Sequence, residues 1–343
     1  CSKIHIINKE MSKNFEPFIG FSTGDPNGIG IEIILKSLSD SNLNSKFKPV
    51  VFSNYKLIES QNRIFDSGCQ VVHINQIEDA TVGFVNVLNI NNKSFDLKFG
   101  ESNRQGGEFS RDSLFHAVDF LKQKKIDALV TGPINKNNIQ SKEFDYKGHT
   151  DFLADYFQGD SLMFMVSEHL KIALLTEHIP INEIISTITP DLIKKRIEII
   201  HNSLLKDFDV QKPKIAVLSI NPHIGDNGVI GTHDNDILIP TISKISTNGI
   251  DVNGPFSSDS FFGSNDYKKY DAIVATYHDQ GLIPFKTLTF GKGVNYTAGL
   301  DVIRTSPDHG TAYNISGKNI ANESSFKAAI ISALNILKNR TKN

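Results

Sequence analysis

The chain is short of several things, and each shortage removes a class of protein. Only two cysteines, Cys1 and Cys69, occur in 343 residues, so a disulfide framework is excluded and a cytoplasmic setting is the default. Net charge is nearly absent: 36 Lys+Arg stand against 38 Asp+Glu, which argues against a chain-wide basic surface for nucleic acid. Long hydrophobic runs are missing too, the longest being about five to seven residues where a membrane helix needs about 18. Nothing near the start joins a basic region, an apolar region and a small-residue cleavage site. The chain opens on Cys1, and residues 1–11 read as a polar preamble before Met11, a cloning remnant or a misplaced start, set aside from the fold.

What is present is an alternation of short apolar runs with longer helical stretches. Phe18–Phe21, Pro49–Phe52, Val71–Ile74, Ile126–Val130, Lys171–Leu175, Lys214–Leu218 and Asp271–Ala275 read as strands. The stretches 29–38, 111–124, 190–208 and 324–339 read as amphipathic helices. Uninterrupted apolar strands between helices predict an α/β fold with a parallel sheet covered on both faces. At ~100–200 residues per domain the length suggests about two domains, with no Gly/Ser-rich linker to mark the boundary.

In open parallel sheets ligands bind beyond the carboxyl ends of the strands. Five of the runs end in polar loops: Thr23-Gly24-Asp25-Pro26-Asn27-Gly28-Ile29-Gly30, Thr131-Gly132-Pro133-Ile134-Asn135-Lys136, Thr176-Glu177-His178, Asn221-Pro222-His223 and Thr276-Tyr277-His278-Asp279-Gln280-Gly281. Three of them present a histidine at nearly the same offset. Three neutral imidazoles on one point make a divalent-metal site; the alternative is three unrelated histidines that cap helices. The glycine-rich 24–30 segment reads either as an anion cradle at a helix N-terminus or as a tight turn, and Asp25 either as a functional or as a turn residue. Gly148-His149-Thr150-Asp151 reads as a helix N-cap made by Thr150 or Asp151, with or without a phosphate on His149 and Thr150. Lys286, Asn295 and Arg304 stand nine residues apart; Lys and Arg are natural partners of carboxylate and phosphate, or simply solvated surface.

Taken together, these motifs resemble the 4-hydroxythreonine-4-phosphate dehydrogenase family of pyridoxal phosphate biosynthesis. The likeness runs from about Phe18 to Ala329 and includes Gly293-Val294-Asn295, Ile303-Arg304-Thr305 and Asp308-His309-Gly310-Thr311-Ala312. It implies two α/β/α domains with an interdomain cleft, of the isocitrate/isopropylmalate dehydrogenase kind, split as 12–140 plus 286–343 against 141–285, in a homodimer with the active site at the subunit interface. It implies one divalent metal per subunit (zinc, magnesium, manganese or cobalt) on His178, His223 and His278, shared across that interface. Substrate binding falls on His149, Thr150, Lys286, Asn295 and Arg304, and the adenosine end of NAD, or of NADP, on His309, Gly310, Thr311 and Ala312. Asp259, Asp279 and Lys286 are the candidates for the catalytic base.

The implied reaction is NAD-dependent oxidation of 4-phosphooxy-L-threonine to 2-amino-3-oxo-4-phosphooxybutanoate, which loses carbon dioxide to give 3-amino-2-oxopropyl phosphate. The alternative substrates are 4-phosphothreonate and 4-phosphoerythronate. Two rivals from other classes are a metal-dependent hydrolase, which would need no NAD, and a nucleotide sensor, which would not need the full set of histidines with Lys286 and Arg304. The chain departs from the family at Thr232-His233, where acidic residues are common, and at Ile224 and Asp226, where alanine and glutamate are frequent. None of these is a proposed ligand.

Overall fold

Alternate residues of the apolar strands enter different cores, which is why those strands carry no polar face. In the run Lys171–Leu174, Ile172 and Leu174 pack into a smaller cluster with Met163, Met165 and Phe285, while Ala173 joins the main core. Ile215–Leu218 and Ala272–Ala275 divide in the same way. A strand buried on both faces has to read as a continuous apolar run.

The computed structural model describes residues 16–91 and 93–342; the preamble before Met11 lies outside the described residues. Its strands are β1 (Phe18–Ser22), β2 (Lys48–Ser53), β3 (Val71–Ile74), β4 (Val85–Asn89), β5 (Ala128–Thr131), β6 (Leu162–Val166), β7 (Lys171–Leu174), β8 (Ile215–Leu218), β9 (Val252–Phe256), β10 (Ala272–Ala275), β11 (Val294–Ala298) and β12 (Arg304–Pro307). They form one 12-stranded sheet in the order β3-β4-β2-β1-β5-β12-β11-β6-β7-β10-β8-β9. The fold is mixed α/β, as the alternation of elements requires. No helix among the described residues is long and apolar enough to cross a membrane.

The sheet is not parallel throughout. The block from β3 to β12 is parallel, as is the block from β7 to β9, but the β12-β11, β11-β6 and β6-β7 pairs are antiparallel. The two blocks therefore run in opposite directions, and their strand ends do not share one edge. The site is built on the face of the antiparallel centre, between the loops that follow β5 and β12 and those that follow β7 and β10. There the register sets Ser306 opposite Asn295 and Asn295 opposite Met165, with Thr297 opposite Met163 in the next row. Cross-strand partners share a face, so these side chains form one floor. The strands β11 and β12 are absent from the apolar runs because they carry this polar floor.

Caps define several helices. Asn103 Oδ1 accepts from Gly106 N at 2.8 Å at the start of Arg104–Lys122, and Thr189 Oγ1 accepts from Leu192 N at 3.2 Å ahead of Pro190–Lys206. The helix His149–Tyr156 begins two residues earlier than a cap on Thr150 sets it and three earlier than one on Asp151. Gly148 occupies its cap position and no side chain caps it, so neither Thr150 nor Asp151 is the N-cap.

Candidate active site

Arg304 opens β12 and is 1% exposed. Its Nε and Nη2 donate to Thr131 Oγ1 at 3.1 and 2.7 Å, and Nη1 donates to Thr297 Oγ1 at 3.1 Å. These hydroxyls leave its positive charge uncompensated, and burial pushes the guanidinium down to about 9. An isolated buried charge is costly. Beside it lies a cavity of about 290 Å³, lined among others by Thr131, Lys136, His149, Thr150, His178, His278, Lys286, Asn295 and Arg304.

Other polar groups around the cavity are also unsatisfied. His149 Nε2, Asn295 Oδ1 and His309 Nε2 are buried without a hydrogen-bond partner within the chain, so a ligand in the cavity can pair them. Burial, followed by the charges of Arg304 and Lys136, holds the His149 imidazole well below its usual range, so it is neutral near pH 7. Lys286 Nζ donates to Asp308 O at 2.9 Å. Asp151 and Asp308 also line the cavity, the Asp308 carboxylate accepting from Ser325 Oγ at 3.1 Å. The result is a pocket with an anion-seeking floor and mixed charge at its rim.

Two of the strand-end histidines meet here. The His178 and His278 rings lie 5.6 Å apart. Thr176 draws their loops together: its N and Oγ1 both donate to Thr276 O, at 3.3 and 2.8 Å. Glu177 turns inward and accepts from Met163 N at 3.1 Å, which ties the His178 loop to the floor. Burial, then the Lys136 charge, lowers the pKa of His178, and Lys136 Nζ lies 3.4 Å from its Nε2. Asp279 Oδ1 pairs with His278 Nδ1 at 2.7 Å, an arrangement that fixes the ring and leaves Nε2 as the other face.

The family model described as pyridoxal phosphate biosynthetic protein PdxA matches residues 45–333. The chain belongs to the PdxA family. A 4-hydroxythreonine-4-phosphate dehydrogenase of Bacteroides thetaiotaomicron is 40% identical over 326 residues, covering 94% of this chain and 90% of its own. A D-threonate 4-phosphate dehydrogenase of Cupriavidus necator is 35% identical over 322 residues, covering 92% and 96%. The crystal structure of 4-hydroxythreonine-4-phosphate dehydrogenase from Klebsiella pneumoniae superimposes with a TM-score of 0.81 at 32% identity, over 95% of this chain and 99% of that one.

In this PdxA chain all five expected substrate residues, His149, Thr150, Lys286, Asn295 and Arg304, line one cavity. The histidine triad is not gathered in one chain. His223 is exposed and outside the cavity, and no three His, Cys, Asp or Glu side chains among the described residues form a metal-sized cluster. Of the three base candidates only Lys286 lines the cavity. Asp279 serves His278, and Asp259 stands outside, near His223, its carboxyl held below the usual range chiefly by the Ser257 hydroxyl.

The 309–312 loop is also divided. His309 and Gly310 reach the cavity, but Thr311 and Ala312 do not, and Thr311 O accepts the Ile29 amide at 3.0 Å. That contact decides the glycine-rich turn. A Cβ at Gly28 would lie 2.7 Å from Thr311 O, one at Gly30 2.2 Å from Thr23 O, and one at Gly24, at φ +66, 2.1 Å from Pro133 O. The glycines admit neighbouring backbone, not an anion. Asp25 is structural in the same sense: it accepts from Asn27 N, Asn138 Nδ2 and Tyr313 OH at 2.9, 2.7 and 2.6 Å.

Lys136, Asp151, Ser306, Asp308 and the two floor methionines line the cavity without standing among the site residues the sequence points to. Lys136, Asp151 and Asp308 belong to the motifs Thr131–Lys136, Gly148–Asp151 and Asp308–Ala312. The methionines Met163 and Met165, two residues apart on one strand face, were the readable signal of a cavity floor.

Proposed function

We propose that the chain is a nicotinamide-dependent dehydrogenase that oxidises 4-phosphooxy-L-threonine to a 3-oxo acid, which then decarboxylates to 3-amino-2-oxopropyl phosphate. The observation that carries the reading is the buried Arg304 guanidinium, without a counter-charge, facing a cavity with the unpaired His149 Nε2 and Asn295 Oδ1. An anionic ligand resolves the first two, and a hydroxyl or ammonium on the same ligand supplies the donor that Asn295 Oδ1 lacks. The names of the relatives give that ligand as a phosphorylated hydroxy or amino acid.

Within the pocket Arg304, His149 and Thr150 hold one anionic end and Lys286 with Asn295 the other, so the carbon between them is fixed by both ends. Asp151 offers a counter-charge to an ammonium, which favours the amino acid over the threonate. Lys286 Nζ is the one base candidate of this chain at the cavity, placed by Asp308 O to hold or pass a proton.

The donor set fits a divalent metal in part. His178 and His278 offer two imidazoles, His178 kept neutral by burial and His278 oriented by Asp279. His223 completes the set when a second copy of the chain supplies it, since within one chain it does not reach. A metal there would act as a Lewis acid on the substrate hydroxyl, and NAD, with its adenosine end at His309 and Gly310, would take the hydride. In this reading the protein is a homodimer, and residues 12–140 with 286–343 form one lobe and 141–285 the other.

The test is NADH absorbance with 4-phosphooxy-L-threonine and with 4-phospho-D-threonate, before and after chelation and return of metal. Turnover of the first that vanishes with chelator and returns with cobalt or zinc supports the assignment. Turnover of the threonate alone replaces the substrate, and phosphate release without NAD moves the protein to the hydrolases.

A further inference from the structure

The segment that carries His223 has the longest run of positive φ among the described residues. His223, Ile224, Gly225, Asp226, Asn227 and Gly228 lie at φ 52, 60, 79, 44, 53 and 96, a left-handed run of six residues, two of them glycine. Each non-glycine residue held there costs about 1 kcal/mol or more. Such a run persists only where its surroundings over-determine it.

The surroundings point to one residue. Asp234 is 0% exposed, and its hydrogen-bond donors all come from the two residues that lead into the turn. Its Oδ1 accepts from Ile220 N at 2.8 Å; its Oδ2 accepts from Asn221 N and Asn221 Nδ2, both at 2.9 Å. At the far end Ile230 N donates to Gly225 O at 3.0 Å, and a Cβ on Gly225 would lie 2.1 Å from Gly231 O. Upstream, Gln280, two residues after His278, donates from Nε2 to Ser219 O at 2.7 Å and to Ser258 Oγ at 2.9 Å, and its Oε1 accepts from Thr276 N at 2.6 Å. The start of the turn is thus keyed to the loop that carries His278, and its direction is set by Asp234.

We propose that Asp234 is a positioning residue: it touches neither substrate nor metal, and acts by holding the left-handed turn and so the direction in which His223 is presented. The inference rests on the reading of His223 as a metal ligand. A carboxylate is needed because three donors converge on it from one side. An amide there offers one oxygen and turns an NH2 toward those donors.

The test uses Asp234→Asn, Asp234→Glu and Asn221→Ala beside wild type, each checked for native circular dichroism and cooperative melting. Amide hydrogen exchange over residues 220–231, measured without metal, should rise at least tenfold in Asp234→Asn while strand β8 stays protected. Cobalt affinity, from competition with a chelator, should fall about 10- to 100-fold, the usual effect of losing a group that orients a ligand. Turnover at saturating cobalt should recover with little change in substrate KM, because the His149–Arg304 pocket is untouched. Asp234→Glu should restore part of both signals, and Asn221→Ala, which removes one of three donors, should show a smaller form of the same pair. Unchanged exchange at 220–231, or unchanged cobalt affinity in a folded Asp234→Asn protein, overturns the proposal. If Asp234→Asn does not fold, Asn221→Ala decides on the same two readouts. Wild type that binds no cobalt overturns the ligand reading of His223, and the metal-free exchange result then decides Asp234's hold on the turn separately.

Discussion

Replacing Arg304 by methionine should move binding and stability in opposite directions. Methionine keeps the length and apolar stem and removes the charge. Removing one partner of a buried charged contact costs about 2–5 kcal/mol, and at about 1.4 kcal/mol per tenfold the affinity for inorganic phosphate or 4-phosphooxy-L-threonine should fall roughly 30- to 3,000-fold. The ligand-free protein should instead become more stable. Burial holds the guanidinium at about 9 against 12.5, and a folded value below the unfolded one is a cost fully present below about pH 9 and relieved as pH rises through it. That gap is worth about 5 kcal/mol, and loss of the donors to the Thr131 and Thr297 hydroxyls returns about 1 kcal/mol each. A net gain of about 2–3 kcal/mol remains. Scanning calorimetry without ligand gives the stability, and isothermal titration with phosphate gives the affinity. A lower Tm together with unchanged phosphate affinity would show that Arg304 is a structural cation, and the reading of the cavity would fall with it.

Two further perturbations test neighbouring parts of the argument. His149 is neutral in the fold because its pKa lies below that of the unfolded chain, so its contribution is full above about pH 6.5 and is lost as pH falls below that; His149→Gln should flatten the drop in urea midpoint between about pH 6.5 and 5, and an unchanged slope would refute the assignment. Asp207, 2% exposed, accepts from Arg340 Nε and Tyr296 OH, each at 2.6 Å, which joins the C-terminal helix Ser324–Lys342 to β11. Arg340→Met leaves that carboxylate buried and should cost about 3–5 kcal/mol in urea unfolding, whereas a change under about 1 kcal/mol would show that water reaches it.

Much of the fold and half of the site can be read from the chain alone, for a definite physical reason. The runs Lys171–Leu175, Lys214–Leu218 and Asp271–Ala275 are apolar throughout because both of their faces are buried, and burial is written into residue type. Asn295 and Arg304 were picked out by chemistry although the strands beneath them were not, since a strand whose face lines a polar cavity loses the apolar pattern by which strands are recognised.

Direction and assembly followed different rules. The antiparallel pairs β12-β11, β11-β6 and β6-β7 depend on hydrogen bonds between segments far apart in the chain, and no local pattern records them. Those pairs set a polar sheet face between the strand-end loops of two opposed parallel blocks, and the cavity lies there. Three histidines stand at almost the same offset after three strands, yet His178 and His278 meet and His223 does not. The offset is a property of the sequence; the left-handed run that begins at His223, and the Asp234 carboxylate bonded to the residues that lead into it, belong to the packed chain. Residue types are local and set which chemistry is available. Convergence is a sum of non-local contacts, and only the packed chain carries it out.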